Sequence, residues 1–484
     1  MTRFFIIVMV ALLVACKGSV PVSYEQVSSK PEMFPDYTDI TIPYNIAPLN
    51  FYIEKAQKVS VKIIGRNEYL FTSHSSLVKF PIRRWKQLLE AEKGSILEIY
   101  VTARFDRKDF GYQSFKWTIA TEPIDKYLSY RLIEPAYEIW NMLQICERNV
   151  ENFDVRILGD NNITDHSCLN CHTSNHADIQ TTFMHVRGPK GGTIYNRSGK
   201  IRKINTKTPQ TAGPAVYGEI EAKGRYGIFA TAKIMPILHS YRTERLEVFD
   251  TQSDLILIDF EKRTVSDKPC VTGNEFQETF PCFSADGKTI YFCRAPHLLQ
   301  PDSTRQMHYN LYSIAFDPET GELGNEVKLV IDAASMGKSI SFPKCSRDGK
   351  YLLFTVSDYG TFPIWHTETD LWMLNLTNSE IDKMEQTNGR YSDSYHSWSS
   401  NSKWISFASK RDDRVYGRPY FAYIGDDGAV SKAFVLPQKD PESYLSTLKS
   451  YNIPELYNNP ESYDARLIER LYFKGETEQL QYKK

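Results

Sequence analysis

Three segments of this chain align with one another residue by residue: FPCFSADGKTIYF from Phe280, FPKCSRDGKYLLF from Phe342 and YHSWSSNSKWISF from Tyr395. Their equivalent lysines, Lys288, Lys350 and Lys403, stand 62 and 53 residues apart. A weaker copy, AVYGEIEAKGRYGIF, places Arg225 a further 63 residues before Lys288. Each copy reads as strand, turn and strand, and the Asp-Gly pairs at Asp286 and Asp348 supply the positive φ that a tight hairpin needs. The last copy has Asn401-Ser402 there instead, from which a looser turn is expected. Further alternating strands accompany the hairpins: DLILIDF at Asp254, NLYSIAF at Asn310 and DLWMLNL at Asp370. Four strands in a period of about 50 to 60 residues make one propeller blade with long loops. If so, Phe283, Ile290, Phe292, Leu352 and Phe354 are buried, and Gly287 and Gly349 have positive φ.

The hairpins of the form S-x-D-G-K-x-apolar-x-F, as in SADGKTIYF and SRDGKYLLF, resemble the WD-like repeats of TolB-type β-propellers. That resemblance covers about half of the 484 residues. It implies an all-β fold in which the four repeats are blades. Two more strand-rich stretches, about 127–155 and 182–206, bring the count to six, with seven the alternative. The propeller then spans 122–436, with the unusual sequence at 160–180 read as an insertion. Before it, 36–121 carries short alternating runs (FYIE, VSVKII, YLFTS, ILEIYVTARF, FKWTIA) and one helical pattern, FPIRRWKQLLEAEKG, ending on Gly94. These predict a small β-sandwich-like domain interrupted by one helix. After it, 437–484 reads as a helical tail.

The first residues concern the compartment. FFIIVMVALLVA, from Phe4 to Ala15, is too short to span a bilayer but suits a signal-peptide core. Leu13-Val14-Ala15-Cys16 resembles a bacterial lipobox, which implies removal of 1–15 and lipidation of Cys16. A polar tether, 16–35, follows. The expected place is the cell envelope, anchored by lipid and facing the periplasm or the cell surface. Lys and Arg total 58 against 59 Asp and Glu. That balance gives no footprint for a polyanion, so nucleic acid is excluded as a partner.

Cys168-Leu169-Asn170-Cys171-His172 is a C-x-x-C-H sequence in a chain with only 8 Cys and 10 His, so coincidence is a poor explanation. Two thiols at this spacing can reach the two vinyl groups of one haem c, and the adjacent His then becomes an axial ligand of the iron. A redox or structural disulfide, or a zinc site completed by His166 or His176, are the competing readings. The neighbourhood resembles a group of bacterial lipoproteins that join one C-x-x-C-H to TolB-like repeats. There the motif is followed by Met-x-His-x-Arg-Gly, here Met184 to Gly188. This implies His185 as the second iron ligand, with Met184 the alternative and Arg187 a partner for a haem propionate. On strand alternation alone, Met184 and Val186 face a core while His185 and Arg187 face solvent.

GPKGGT at Gly188 lacks the spacing of a phosphate loop and reads as a hairpin turn. Trp365-His366, and His396 with Trp398, read as blade packing. No catalytic residue set is recognisable, and no nucleophile elbow or zinc-protease helix occurs. The sequence therefore points to a haem lipoprotein for electron transfer or haem-based sensing. The alternative is a non-catalytic propeller that binds a protein or glycan partner, with the C-x-x-C-H structural.

Overall fold

The computed structural model describes residues 23–134, 142–175, 178–240, 243–298 and 301–483. The lipobox-like segment Leu13-Val14-Ala15-Cys16 lies outside them. Six four-stranded antiparallel units surround one axis, so the chain is a six-bladed β-propeller. Blades 2 to 6 run in chain order from the innermost strand outward. Their innermost strands are Leu169–Asn175, Ala215–Ile220, Phe276–Phe283, Ser339–Cys345 and Asp393–Trp398. Blade 1 takes Tyr127–Ile133, Leu143–Asn149 and Val155–Asp160, and its innermost strand, Ser450–Tyr457, comes from the far end of the chain. The ring is therefore closed by strand pairing between residues more than 300 positions apart.

The turn chemistry explains the repeat. Phe283, Ile290, Phe292, Leu352 and Phe354 are fully buried, and Gly287 and Gly349 have φ of 68° and 74°. In each copy a serine hydroxyl donates to the carboxylate two residues on, Ser284 to Asp286 and Ser346 to Asp348, both at 2.6 Å. The Asn401-Ser402 turn is not looser. Ser399 donates to Asn401 at 2.6 Å, and Ser402 itself takes the left-handed conformation at φ 59°. Asn supplies the same acceptor as Asp, so the geometry survives the substitution.

Among the described residues of 160–180 there is no insertion: Leu169–Asn175 is the innermost strand of blade 2, and Asp178 opens the next strand. The C-terminal segment holds the expected helix, Ala465–Lys474, capped by the Asp464 side chain. It also supplies the closing strand and two short parallel strands. Thr477–Gln479 adds to the outer edge of blade 2, and Gln481–Tyr482 to that of blade 3. The N-terminal domain is a mixed sheet with the helix Ile82–Ala91 laid against it. Trp85 donates to the Ile46 carbonyl at 3.0 Å and Trp117 to that of Tyr37 at 2.7 Å. Its core is continuous with blades 6 and 1, where Trp398, Trp404, Phe407 and Leu128 join the same apolar cluster. Among the described residues no helix is long and apolar enough to cross a membrane.

Candidate functional site

Every innermost strand carries a β-bulge at the same height. Two of its residues stand against one on the neighbouring strand at 171–172, 216–217, 280–281, 342–343, 395–396 and 453–454. Phe280, Phe342, Tyr395 and Ile453, each first in its pair, have φ between 49° and 55°. Such a bulge turns side chains that would otherwise alternate toward one place. Here that place is the propeller axis. A cavity of about 80 Å³ is lined there by His172, Tyr217, Phe280, Pro281, Phe342, Pro343, Lys344, Tyr395, His396, Ile453 and Glu455, among others. Cys171-His172 thus occupies the position of Phe-Pro in blades 4 and 5 and of Tyr395-His396 in blade 6. The repeat alignment did not include this strand, because blade 2 lacks the Asp-Gly turn that marks the copies at Phe280 and Phe342.

The two histidines at this level differ. His396 has Nε2 3.0 Å from the Leu353 carbonyl and Nδ1 3.5 Å from Thr355 Oγ1, which makes it a satisfied core residue, as does Trp398 donating to the Lys344 carbonyl. His172 is also buried, but no side chain hydrogen-bonds its ring, and only the Ile453 backbone comes within reach. Burial, with a smaller contribution from Arg131, pushes its pKa down to about 3, and the nearby Ile453 backbone only partly offsets this. Beneath it Glu219 lies 3.8 Å from Lys344 and 3.5 Å from Arg347. The buried carboxyl of Glu455 is pushed up to about 7 by desolvation.

Above the bulges lies a vestibule of about 340 Å³. Its walls are mostly apolar: Ile133, Leu143, Phe362, Ile364, Trp365, and Ile234, Pro236, Leu246 and Val248 from the long hairpin Tyr226–Leu238 and Leu246–Asp259. The polar groups on it are Arg131, Cys168, Asn170, Arg187, Tyr217 and Tyr395. Arg131 donates from Nη1 to the Asn170 side chain. His366 Nε2 meets Glu247 Oε2 at 2.8 Å, fastening the hairpin to blade 5, so this histidine holds the roof.

The structure divides the expected site residues. Cys168 faces the vestibule and His172 the axial cavity below it, and the two spaces share Tyr217 and Tyr395 as wall. The motif runs into an extended strand rather than a compact loop or short helix. Leu169–Asn175 pairs with Asp178–Val186, bringing Asn170 opposite His185 and Leu169 opposite Val186. Met184 and Val186 are buried in the apolar cluster between blades, beside Leu143, Ile145 and Leu158. His185 points the other way but is also buried. Its Nδ1 lies 3.1 Å from Thr193 Oγ1, and burial pushes its pKa down to about 4. It lines a separate cavity of about 570 Å³ that shares Arg187 and Tyr217 with the vestibule. Residues 187–191 form the turn of the hairpin that follows, with Val186 paired to Gly192. The left-handed Gly188, φ 99°, lies against Ser167 and Tyr472, whose hydroxyls are 2.7 Å apart. The C-terminal helix thereby braces the residue before Cys168.

Sequence reasoning did not find Arg131 or Lys410 and read Trp365 as packing; the three meet because blades 1, 5 and 6 converge. The side chain of Cys171 and residues 176–177, including His176, lie outside what the structure describes. Among the described residues no three His, Cys, Asp or Glu side chains cluster as metal ligands.

No family model matches the chain, and no curated protein does. Solved structures are similar to it at the level of the propeller. A hypothetical selenium-binding protein from Sulfolobus tokodaii aligns over 87% of this chain and 96% of its own, at 8% identity and a TM-score of 0.42. The periplasmic gluconolactonase of Pseudomonas aeruginosa aligns over 69% and 100%, at 14% identity and a TM-score of 0.36. A puromycin-hydrolysing peptidase of Mycobacterium tuberculosis aligns over 56% of this chain but only 39% of its own, at 15% identity and a TM-score of 0.33. Likenesses this distant carry nothing about activity.

Proposed function

We propose that the protein is a lipid-anchored envelope protein carrying one covalent haem c at the mouth of its propeller, held by Cys168, Cys171 and His172. One observation carries this reading: the buried His172 ring has no side-chain hydrogen-bond partner, one bulge below a cavity whose wall holds Cys168. Buried imidazoles are ordinarily satisfied at both nitrogens, and the Ile453 backbone can serve only one of the two here. Because burial keeps His172 neutral at physiological pH, its nitrogen lone pair is available without competition from a proton. Arg131 and Arg187 supply positive charge on the vestibule wall for propionates. The apolar walls exclude water, which is one way a protein sets a redox potential. A bound haem would supply one-electron chemistry. His185 is the better second ligand on this reading, since Met184 is turned into the blade core. His185 would have to give up Thr193 to serve.

The test is a pyridine haemochrome spectrum and an intact mass on protein purified from a host that matures c-type cytochromes. A red protein heavier by one haem is expected, with colour lost in Cys168→Ser and low-spin character lost in His172→Ala. A colourless protein with Cys168 and Cys171 joined as a disulfide would remove the haem reading. The second reading, a propeller that binds a protein or glycan at this face, is favoured by the aromatic lining of the vestibule: Tyr217, Phe362, Trp365 and Tyr395.

A further inference from the structure

A small lobe opens beside the vestibule, about 100 Å³ in volume, and the two share Arg131, Ile133, Leu246, Ile364, Trp365 and Tyr395 as walls. Three residues on the lobe carry a buried polar atom with no hydrogen-bond partner: Lys410 at Nζ, Arg131 at Nε and Ser392 at Oγ. All three residues are more than nine-tenths buried, at 8%, 8% and 3% exposure. Ser392 and Lys410 flank the two innermost strands of blade 6, where the Lys410 N–H donates to the Ser392 carbonyl at 2.9 Å, and Arg131 faces them from blade 1. Buried polar groups in folded proteins nearly always find partners, and each exception asks for a reason.

The chemistry of the three atoms is uniform. An amine or ammonium, a guanidinium N–H and a hydroxyl are all able to donate, and what is missing is an acceptor. Lys410 Nζ rests 3.0 Å from the centre of the Trp365 ring, which holds it without satisfying its N–H groups. Its surroundings do not neutralise it. Arg131 shares the lobe, and Arg245 adds repulsion that Asp413 only partly offsets, so with burial the charged form is strongly disfavoured. A bound anion would reverse that penalty. Glu134, also on the lobe, disfavours a doubly charged anion such as phosphate.

We propose that this lobe is a carboxylate-binding site. Lys410, Arg131 and Ser392 receive the carboxylate, and the ligand's apolar body lies in the vestibule against Ile133, Leu246, Ile364 and Trp365. The vestibule falls at the lower end of the volumes of small-molecule sites, about 300–1,000 Å³. Two sources offer this chemistry: a free organic acid, or the propionate of a haem seated in the vestibule. The carboxylate site itself does not depend on the haem.

The experiment uses full-length haem-free protein, made in a host without c-type maturation, titrated calorimetrically with benzoate and hexanoate. Saturable binding is expected, weakened about tenfold or more in Lys410→Met and by a smaller factor in Ser392→Ala, with methyl benzoate failing to bind. Lys410→Met replaces the amine by an apolar side chain of similar length, and its melting temperature should equal or exceed that of the parent protein. Absence of binding by either acid, equal binding by Lys410→Met, or equal binding of the methyl ester would overturn the proposal. In haem-loaded protein, retained benzoate binding assigns the lobe to a free acid, and lost binding assigns it to the propionate. If no haem attaches at all, the haem reading fails while the first titration still decides this one.

Discussion

The Arg187 backbone N–H donates to the Cys168 carbonyl at 2.9 Å. This one bond joins the start of the C-x-x-C-H strand to the end of the Met-His-Val-Arg-Gly strand. The two elements that sequence resemblance pairs are thus hydrogen-bonded neighbours in blade 2. The same pairing puts Arg187 and Cys168 on one vestibule wall, while alternation sends Met184 and His185 to opposite faces. Adjacency in the sheet therefore does not by itself gather the four side chains around one centre.

Ring closure depends on Ser450–Tyr457. Deleting 450–484 would leave Tyr127–Ile133 without its inner neighbour and open the axis of the propeller. The truncated chain should lose its cooperative thermal transition and become rapidly cleaved in limited proteolysis. Deleting only 476–484, which removes two edge strands, should lower the melting temperature by several degrees without abolishing the transition. A truncation at 450 that melts like the full chain would contradict the closure.

Nothing lies within 4 Å of a side chain added at Gly287, so Gly287→Ala isolates the cost of its left-handed backbone. Chemical denaturation should show a loss of about 1 kcal/mol. Ser402→Gly in the equivalent turn should be close to neutral. It relieves a positive φ but gives up the bond that Ser402 Oγ accepts from the Asp348 N–H at 3.0 Å.

Stability should fall toward both acid and alkaline pH for separate reasons. Burial pushes the pKa of His396 down to about 3, so the unfolded chain takes up its proton first. The stability it contributes is complete above the ordinary value of 6.5 and is lost as pH falls toward 3. Burial pushes Glu461 up to about 8, reinforced by Glu147, and Glu278 also up to about 8. Their contribution is complete below about 4.5 and is lost as pH rises toward 8. Each group moves the free energy by up to about 1.4 kcal/mol per pH unit. Denaturation midpoints across pH 4 to 9 should show a flatter acid limb in His396→Gln and a flatter alkaline limb in Glu461→Gln.

The resemblance of Leu13-Val14-Ala15-Cys16 to a lipobox yields a prediction independent of the propeller. The chain with Cys16→Ala should partition into the aqueous phase on detergent separation of whole cells, whereas the parent chain should follow the detergent. A variant that still follows the detergent would show that Cys16 is not the anchor.

Much of the fold was legible because it is written locally. A Ser-Asp-Gly turn between alternating strands specifies a hairpin through contacts within ten residues, and the repeat of that hairpin specifies stacking around an axis. The hairpin pattern survived even Asn401-Ser402, since the turn needs an acceptor and a residue that tolerates positive φ rather than one particular pair. Blade 2 was harder, because without that turn its strand read as an insertion around a cofactor motif. The sequence by itself determined the strands, the hairpins, the period and the presence of Cys168, Cys171 and His172 close together in the chain. Only the tertiary structure decided that a bulge aims His172 at the axis, that Met184 is core, and that Lys410, Arg131 and Ser392 meet unpartnered in one lobe. Those relations are set by blades brought together from opposite ends of the chain, and no local pattern encodes which side chains will face one another across that ring.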